Sequence, residues 1–101
     1  MILYNVTVSI DKSVEDEWVV WMKNEHIPEV MDTGKFVDYK FYKVMAQQND
    51  PATSYSIQYF AEGMKELQLY MAIDAAELQK QALQRFPDKF AAFRTVLQSV
   101  D

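Results

Sequence analysis

The sequence predicts an α+β domain with the element order β-α-β-β-α-β. Three observations carry this reading. Residues 2–10 alternate between one apolar face and one mostly polar face, two more alternating segments flank a polar stretch, and apolar residues recur every three or four positions through 64–86. The chain has 101 residues, so these elements fit one domain spanning 1–101.

The opening strand points Tyr4, Val6, Val8 and Ile10 one way and Leu3, Asn5, Thr7 and Ser9 the other. Ser13 then reads as a helix N-cap, with Glu15 and Asp16 in the first turn to suit the helix dipole. The helix is expected over 14–26, with Val14, Trp18, Trp21, Met22 and Glu25 on one side. The run from Trp18 to Met22 is wider than one apolar stripe, so part of it should face something besides its own sheet. Pro28 removes a donor and disfavours a helical Ile27, which predicts a kink or break there and a short helical turn through Met31, closed by Gly34.

A second strand is expected over 36–46, with Val37, Tyr39, Phe41 and Met45 alternating against Phe36, Asp38, Lys40, Tyr42 and Val44. Gln47 to Pro51 reads as a polar turn leading to an antiparallel third strand over 53–62, whose apolar face is Tyr55, Ile57, Tyr59 and Ala61. In the helix of 64–86 the stripe is Met64, Leu67, Met71, Ala75, Leu78, Ala82 and Phe86, and Pro87 ends it. The last strand, 89–99, sets Phe93 and Leu97 against Arg94, Val96 and Gln98.

Two split β-α-β units of this kind fold into a ferredoxin-like sandwich: a four-stranded antiparallel sheet with two helices on one face. The other face then carries Leu3, Asn5, Thr7, Ser9, Phe36, Asp38, Lys40, Tyr42, Ser56, Gln58, Phe60, Arg94, Val96 and Gln98. Phe36, Tyr42 and Phe60 together form a patch that a second copy would bury across a two-fold axis, so a homodimer is expected.

Composition narrows the function classes. The net charge of −5 opposes binding to nucleic acid or to an anionic membrane, since both rely on basic residues. The order of elements also suits an RNA-recognition motif, but the third strand, SYSIQYFAE, lacks its basic and Gly-flanked aromatics. With no Cys and one His, neither disulfides nor a zinc site is expected, and no metal or cofactor is assigned. The start MILYNVTVSI has no basic region before its apolar residues, and no apolar run reaches the ~20 residues of a membrane helix, so a cytoplasmic protein is expected. With 2 Gly, no phosphate-cradling loop is possible, and no nucleophile–His–acid order is present.

The stretches Trp18-x-x-Trp21-Met22, His26-Ile27-Pro28-Glu29-Val30 and Thr33-Gly34-Lys35-Phe36, with Leu67, Tyr70 and Phe93-Arg94-Thr95, resemble a bacterial family catalogued as a domain of unknown function. The arrangement also looks like the dimeric α/β barrel group, in which two ferredoxin-like subunits pack sheet to sheet around a cavity. That resemblance implies a homodimer and a small molecule held between the sheets. The group includes cofactor-independent monooxygenases on aromatic substrates, stress-response barrels and haem-degrading oxygenases. Haem-degrading members use an Asn, a Trp and a His on the second helix. Asn5 matches the first superficially, but residues 64–86 contain neither His nor Trp, so haem chemistry is not expected.

The candidate binding residues are Asn5, Trp18, Trp21, His26, Asp38, Tyr42 and Arg94. His26 suits a base or a ligand-binding group at a cavity mouth; equally, it suits a helix-end residue bonding the carbonyls freed beside Pro28. Asn5, Trp18, Trp21, Tyr42 and Arg94 could line an aromatic pocket, or the two Trp residues could be core and dimer contacts. Asp38, Lys40 and Arg94 on one face would orient an anion or form interfacial ion pairs. A small-molecule-binding barrel leads these readings, ahead of a cofactor-independent enzyme and a purely structural interaction module.

Overall fold

Alternation, register and helix phase can be compared directly in a computed structural model of the chain, which describes residues 1–45 and 50–101. Its strands are β1 (Ile2–Asp11), β2 (Asp38–Lys43), β3 (Ala52–Ala61) and β4 (Phe90–Gln98), in the antiparallel order β2-β3-β1-β4. The helices are α1 (Glu15–Trp21), α2 (Ile27–Asp32), α3 (Met64–Ile73) and α4 (Ala75–Arg85). The chain thus adopts the expected ferredoxin-like βαββαβ fold. The greater part of the expected turn at Gln47–Pro51 lies outside the described residues.

Directly paired residues in a sheet share a face. β1 pairs Tyr4 with Tyr59, Val6 with Ile57 and Val8 with Tyr55 on β3, and β2 places Phe41 opposite Ile57. These residues meet Trp18, Trp21, Met22, Leu67, Tyr70 and Leu78 of the helical layer in one core. Two aromatic groups organise it. Tyr4, Phe36, Tyr59 and Tyr70 cluster with centroids 4.9–6.4 Å apart, and Trp18 packs at 5.0 Å from Tyr55 and 5.8 Å from Phe41. No polar or charged residue is fully buried among the described residues.

Several expectations are corrected. Asp11, not Ser13, caps the first helical turn: its Oδ1 accepts from the Ser13 backbone at 2.8 Å and from the Ser13 hydroxyl at 2.6 Å. Pro28 does not break the helix. A π turn over Met22–His26 joins α1 to α2, and helical dihedrals run through Ile27. The strand expected over 36–46 begins only at Asp38, so alternation does not apply to the residues before it: Phe36 is buried among the helix-side aromatics while Val37 is exposed. Met45, beyond the strand, is also exposed.

The long second helix is interrupted at Asp74, whose ψ of −35° with φ of −110° departs from helix geometry. Of the expected stripe, Leu67, Ala75, Leu78 and Phe86 are buried, whereas Met64 and Met71 are exposed and Tyr70 takes the buried place in α3. Lys35 ties this junction to the end of α2 by an ion pair with Asp74 at 3.2 Å. Gly34 closes α2 as expected. Its φ of 75° is the left-handed conformation that glycine adopts without steric cost, and its N–H bonds to Met31 at 3.1 Å.

The largest correction concerns β4. Its register pairs Val96 with Tyr4, Arg94 with Val6 and Ala92 with Val8, which puts Arg94 and Val96 on the helix side. Phe93 and Leu97 fall on the open face, opposite Thr7 and Leu3. Assigning the more apolar set inward fails here because β4 is an edge strand, only partly covered by helices.

Candidate functional site

Residues five apart on a regular α-helix point about 140° away from each other. Trp21 and His26 nevertheless stack, because the π turn between them adds one residue to the coil. Its wider bond is visible in the Ile27 N–H, which reaches back to the Met22 carbonyl. Pro28 follows one residue later and has no N–H to give, so the backbone near it does not hold the tighter α pattern. The outcome is an imidazole laid on an indole, with centroids 4.9 Å apart at 24°, and the same indole meets Phe86 edge-on at 5.4 Å.

The Trp21 and His26 rings form one wall of a cavity of about 180 Å³ between the helices and the sheet. Trp18, Trp21 and Leu78 close it from the helical side, and Tyr4, Val8 and Ile57 form its floor. His26, Gln79 and Arg94 bring nitrogen, and Tyr4, Tyr59 and Tyr70 bring hydroxyls, to a largely apolar lining. Arg94 lines the cavity yet remains exposed overall, so it stands where the cavity meets solvent. Among the described residues no Asp or Glu lines this space.

The electrostatics follow from that lining. Burial, reinforced by the Arg94 charge, lowers the His26 pKa to about 4, so the ring is neutral at pH 7. Its Nδ1 is buried without a hydrogen-bond partner. Burial raises the Tyr4 hydroxyl, an effect that the Arg94 guanidinium partly offsets, and burial also raises Tyr70. A histidine this reluctant to take a proton is a poor general base at neutral pH but a serviceable hydrogen-bonding group.

The structure divides the seven candidate residues between two places. Trp18, Trp21, His26 and Arg94 line the cavity. Asn5, Asp38 and Tyr42 lie on the open face of the sheet, since their partners Gln58, Phe60 and Ser56 lie there. Asn5 is engaged in a polar ladder: it accepts from the Ser56 hydroxyl at 2.6 Å and donates to Thr7 Oγ1 at 3.0 Å. Arg94 is therefore not grouped with Asp38 and Lys40, as had been expected, and the cavity within the chain lies on the helix side of the sheet. Sequence reading did not single out Tyr4, Tyr70 or Gln79 as cavity residues. The two tyrosines look like ordinary core positions in their strand and helix, and only their hydroxyls hint otherwise.

A second, shallower groove runs between Glu29, Asp32, Asp74 and Glu77. Among the described residues no group of three or more His, Cys, Asp or Glu side chains could hold a metal ion. No helix among them is long and apolar enough to cross a membrane.

Residues 1–100 match the family described as Domain of unknown function (DUF4286), and the chain belongs to that family. No curated protein matches it. Solved structures share its fold at low identity. A dimeric ferredoxin-like protein from an uncultured marine organism is 13% identical with a TM-score of 0.72, covering 100% of this chain and 96% of its own. HapK from Hahella chejuensis is 13% identical with a TM-score of 0.71, covering 99% and 93%. An MhuD mutant with two manganese protoporphyrin IX molecules bound per active site is 10% identical with a TM-score of 0.67, covering 100% and 96%.

Proposed function

We propose that this DUF4286 chain binds a small ring-bearing molecule in the cavity between its helices and its sheet, as one subunit of a homodimer. The observation that carries the reading is the cavity itself, an apolar and aromatic space of about 180 Å³ with a few nitrogens at its edge. An apolar cavity of roughly 150 Å³ accommodates a benzene ring, so the volume suits a single ring with a short substituent. The neutral His26 favours recognition over proton abstraction. Binding of a planar ring system by MhuD, on the same fold, supports the reading by analogy only.

Pairing through the open face is proposed on its exposed side chains. Tyr42, Phe93 and Leu97 are each about half exposed or more in the single chain, alongside the Asn5–Ser56 ladder. Two solved structures of the same fold, described as dimeric ferredoxin-like proteins, support pairing as such.

The direct test is a proton–nitrogen NMR titration with the neutral probe p-cresol. The indole signals of Trp18 and Trp21 should shift, and Ala82→Trp, which fills the cavity, should abolish the effect. Shifts confined to Asn5 and Gln58, or unaltered in Ala82→Trp, would place the probe elsewhere and reject the cavity.

A further inference from the structure

Building on the cavity-binding reading, we infer that the preferred ligand is an anion: a ring-bearing carboxylic acid whose carboxylate pairs with Arg94 while its ring enters between Trp21 and Leu78.

The chain carries 15 acidic and 10 basic residues, yet among the described residues no carboxylate lies within ion-pair distance of Arg94. Elsewhere Lys35, Lys43 and Arg85 each meet an acid, at 3.2, 3.7 and 3.0 Å. The groups electrostatically coupled to Arg94 are Tyr4, His26 and Tyr70, all neutral at pH 7. A predominantly acidic molecule thus has a cavity whose described lining contains one permanent positive charge and no negative one.

Geometry and chemistry narrow the anion. A guanidinium offers a planar fork of donors that matches a carboxylate in two parallel hydrogen bonds. Arg94 sits at the opening, which lets the charged end of the ligand keep some water while the ring leaves it. The surrounding aromatic and aliphatic walls lower the local dielectric and strengthen the pair. His26, stacked on Trp21, is one of the further polar groups of the lining, with Gln79 and the tyrosines, that could meet a hydroxyl on the ring.

The test is calorimetric titration of the intact protein with two probes of nearly equal shape, 4-methylbenzoate and neutral 4-methylbenzamide. Native protein should bind the benzoate at least tenfold more tightly. Arg94→Gln should erase that preference by lowering the benzoate affinity at least tenfold, and Arg94→Lys should retain part of it. Arg94 is exposed on an edge strand, so these variants should fold, which circular dichroism checks. Equal binding of both probes to native protein, or a preference surviving in Arg94→Gln, would overturn the anion assignment while leaving the cavity in place. Failure of both probes to bind would overturn the cavity reading and this inference together.

Discussion

The imidazole of His26 lies on the indole of Trp21, with centroids 4.9 Å apart and planes inclined by 24°. Only the π turn between them makes this contact possible. It turns the last residue of that turn toward the sheet and gives the cavity its polar corner. π turns within helices frequently occur at functional sites, and this one places the chain's sole histidine.

The first prediction concerns acid. His26 titrates near 4 in the folded protein, against about 6.5 when unfolded. Between those values the unfolded chain binds a proton that the folded chain refuses, so stability is full above pH 6.5 and declines as pH falls toward 4. Arg94, facing the ring, opposes its protonation, while Tyr4 and Tyr70 stay neutral throughout this window. The loss should reach about 3 kcal/mol at the lower end. Urea denaturation from pH 7 to 4.5 should show a steeper decline for the native protein than for His26→Gln. Parallel curves would contradict the assignment.

Phe36 and Val37 form a paired test of the corrected β2 boundary. Phe36 stacks within the Tyr4, Tyr59 and Tyr70 cluster and is 5% exposed, whereas Val37 is 54% exposed. Phe36→Ala should cost about 3 kcal/mol or more, and Val37→Ala less than about 0.5 kcal/mol. Denaturation midpoints in the reverse order would refute this placement.

Glu15 anchors the start of α1 to β3. Its carboxylate accepts from Tyr55 Oη at 2.6 Å and from Thr53 Oγ1 at 2.8 Å, and Lys43 lies at 3.7 Å. The Tyr55 bond is the main cause that lowers the Glu15 pKa. Glu15→Ala should therefore destabilise by about 1 to 2 kcal/mol, since the part-buried Tyr55 hydroxyl loses its acceptor, and Tyr55→Phe by about 1 kcal/mol. Because the folded pKa is depressed, the carboxylate's contribution is present above about pH 4.5 and is lost as pH falls through the lower folded value. A Glu15→Ala protein as stable as native at pH 7 would show that the anchor contributes nothing.

Phe93 reports on self-association. It is 63% exposed on the open face, opposite Thr7. Sedimentation equilibrium should give a dimer for the native chain and a monomer with unchanged far-ultraviolet dichroism for Phe93→Asp. A native monomer, or a dimer unaffected by Phe93→Asp, would place the interface elsewhere.

The element order and the helix-facing sides of β1 and β3 were legible in the sequence. There, burial on one face imposes a strict two-residue period, as from Tyr4 to Ile10 and from Tyr55 to Ala61. Trp18, Trp21, His26 and Arg94, which line the cavity, could be named as candidates in advance. Their grouping could not. Whether Arg94 joins Asp38 on the open face or His26 in the cavity depends on the register of β4 against β1, and an edge strand carries too weak a hydrophobic bias to reveal it. Whether His26 faces the core depends on one extra residue in a helical turn, and periodicity at 3.6 residues cannot register that insertion. Local pattern determined the parts. Tertiary packing decided which side chains meet, because register and helix phase are set by contacts between segments far apart in the chain.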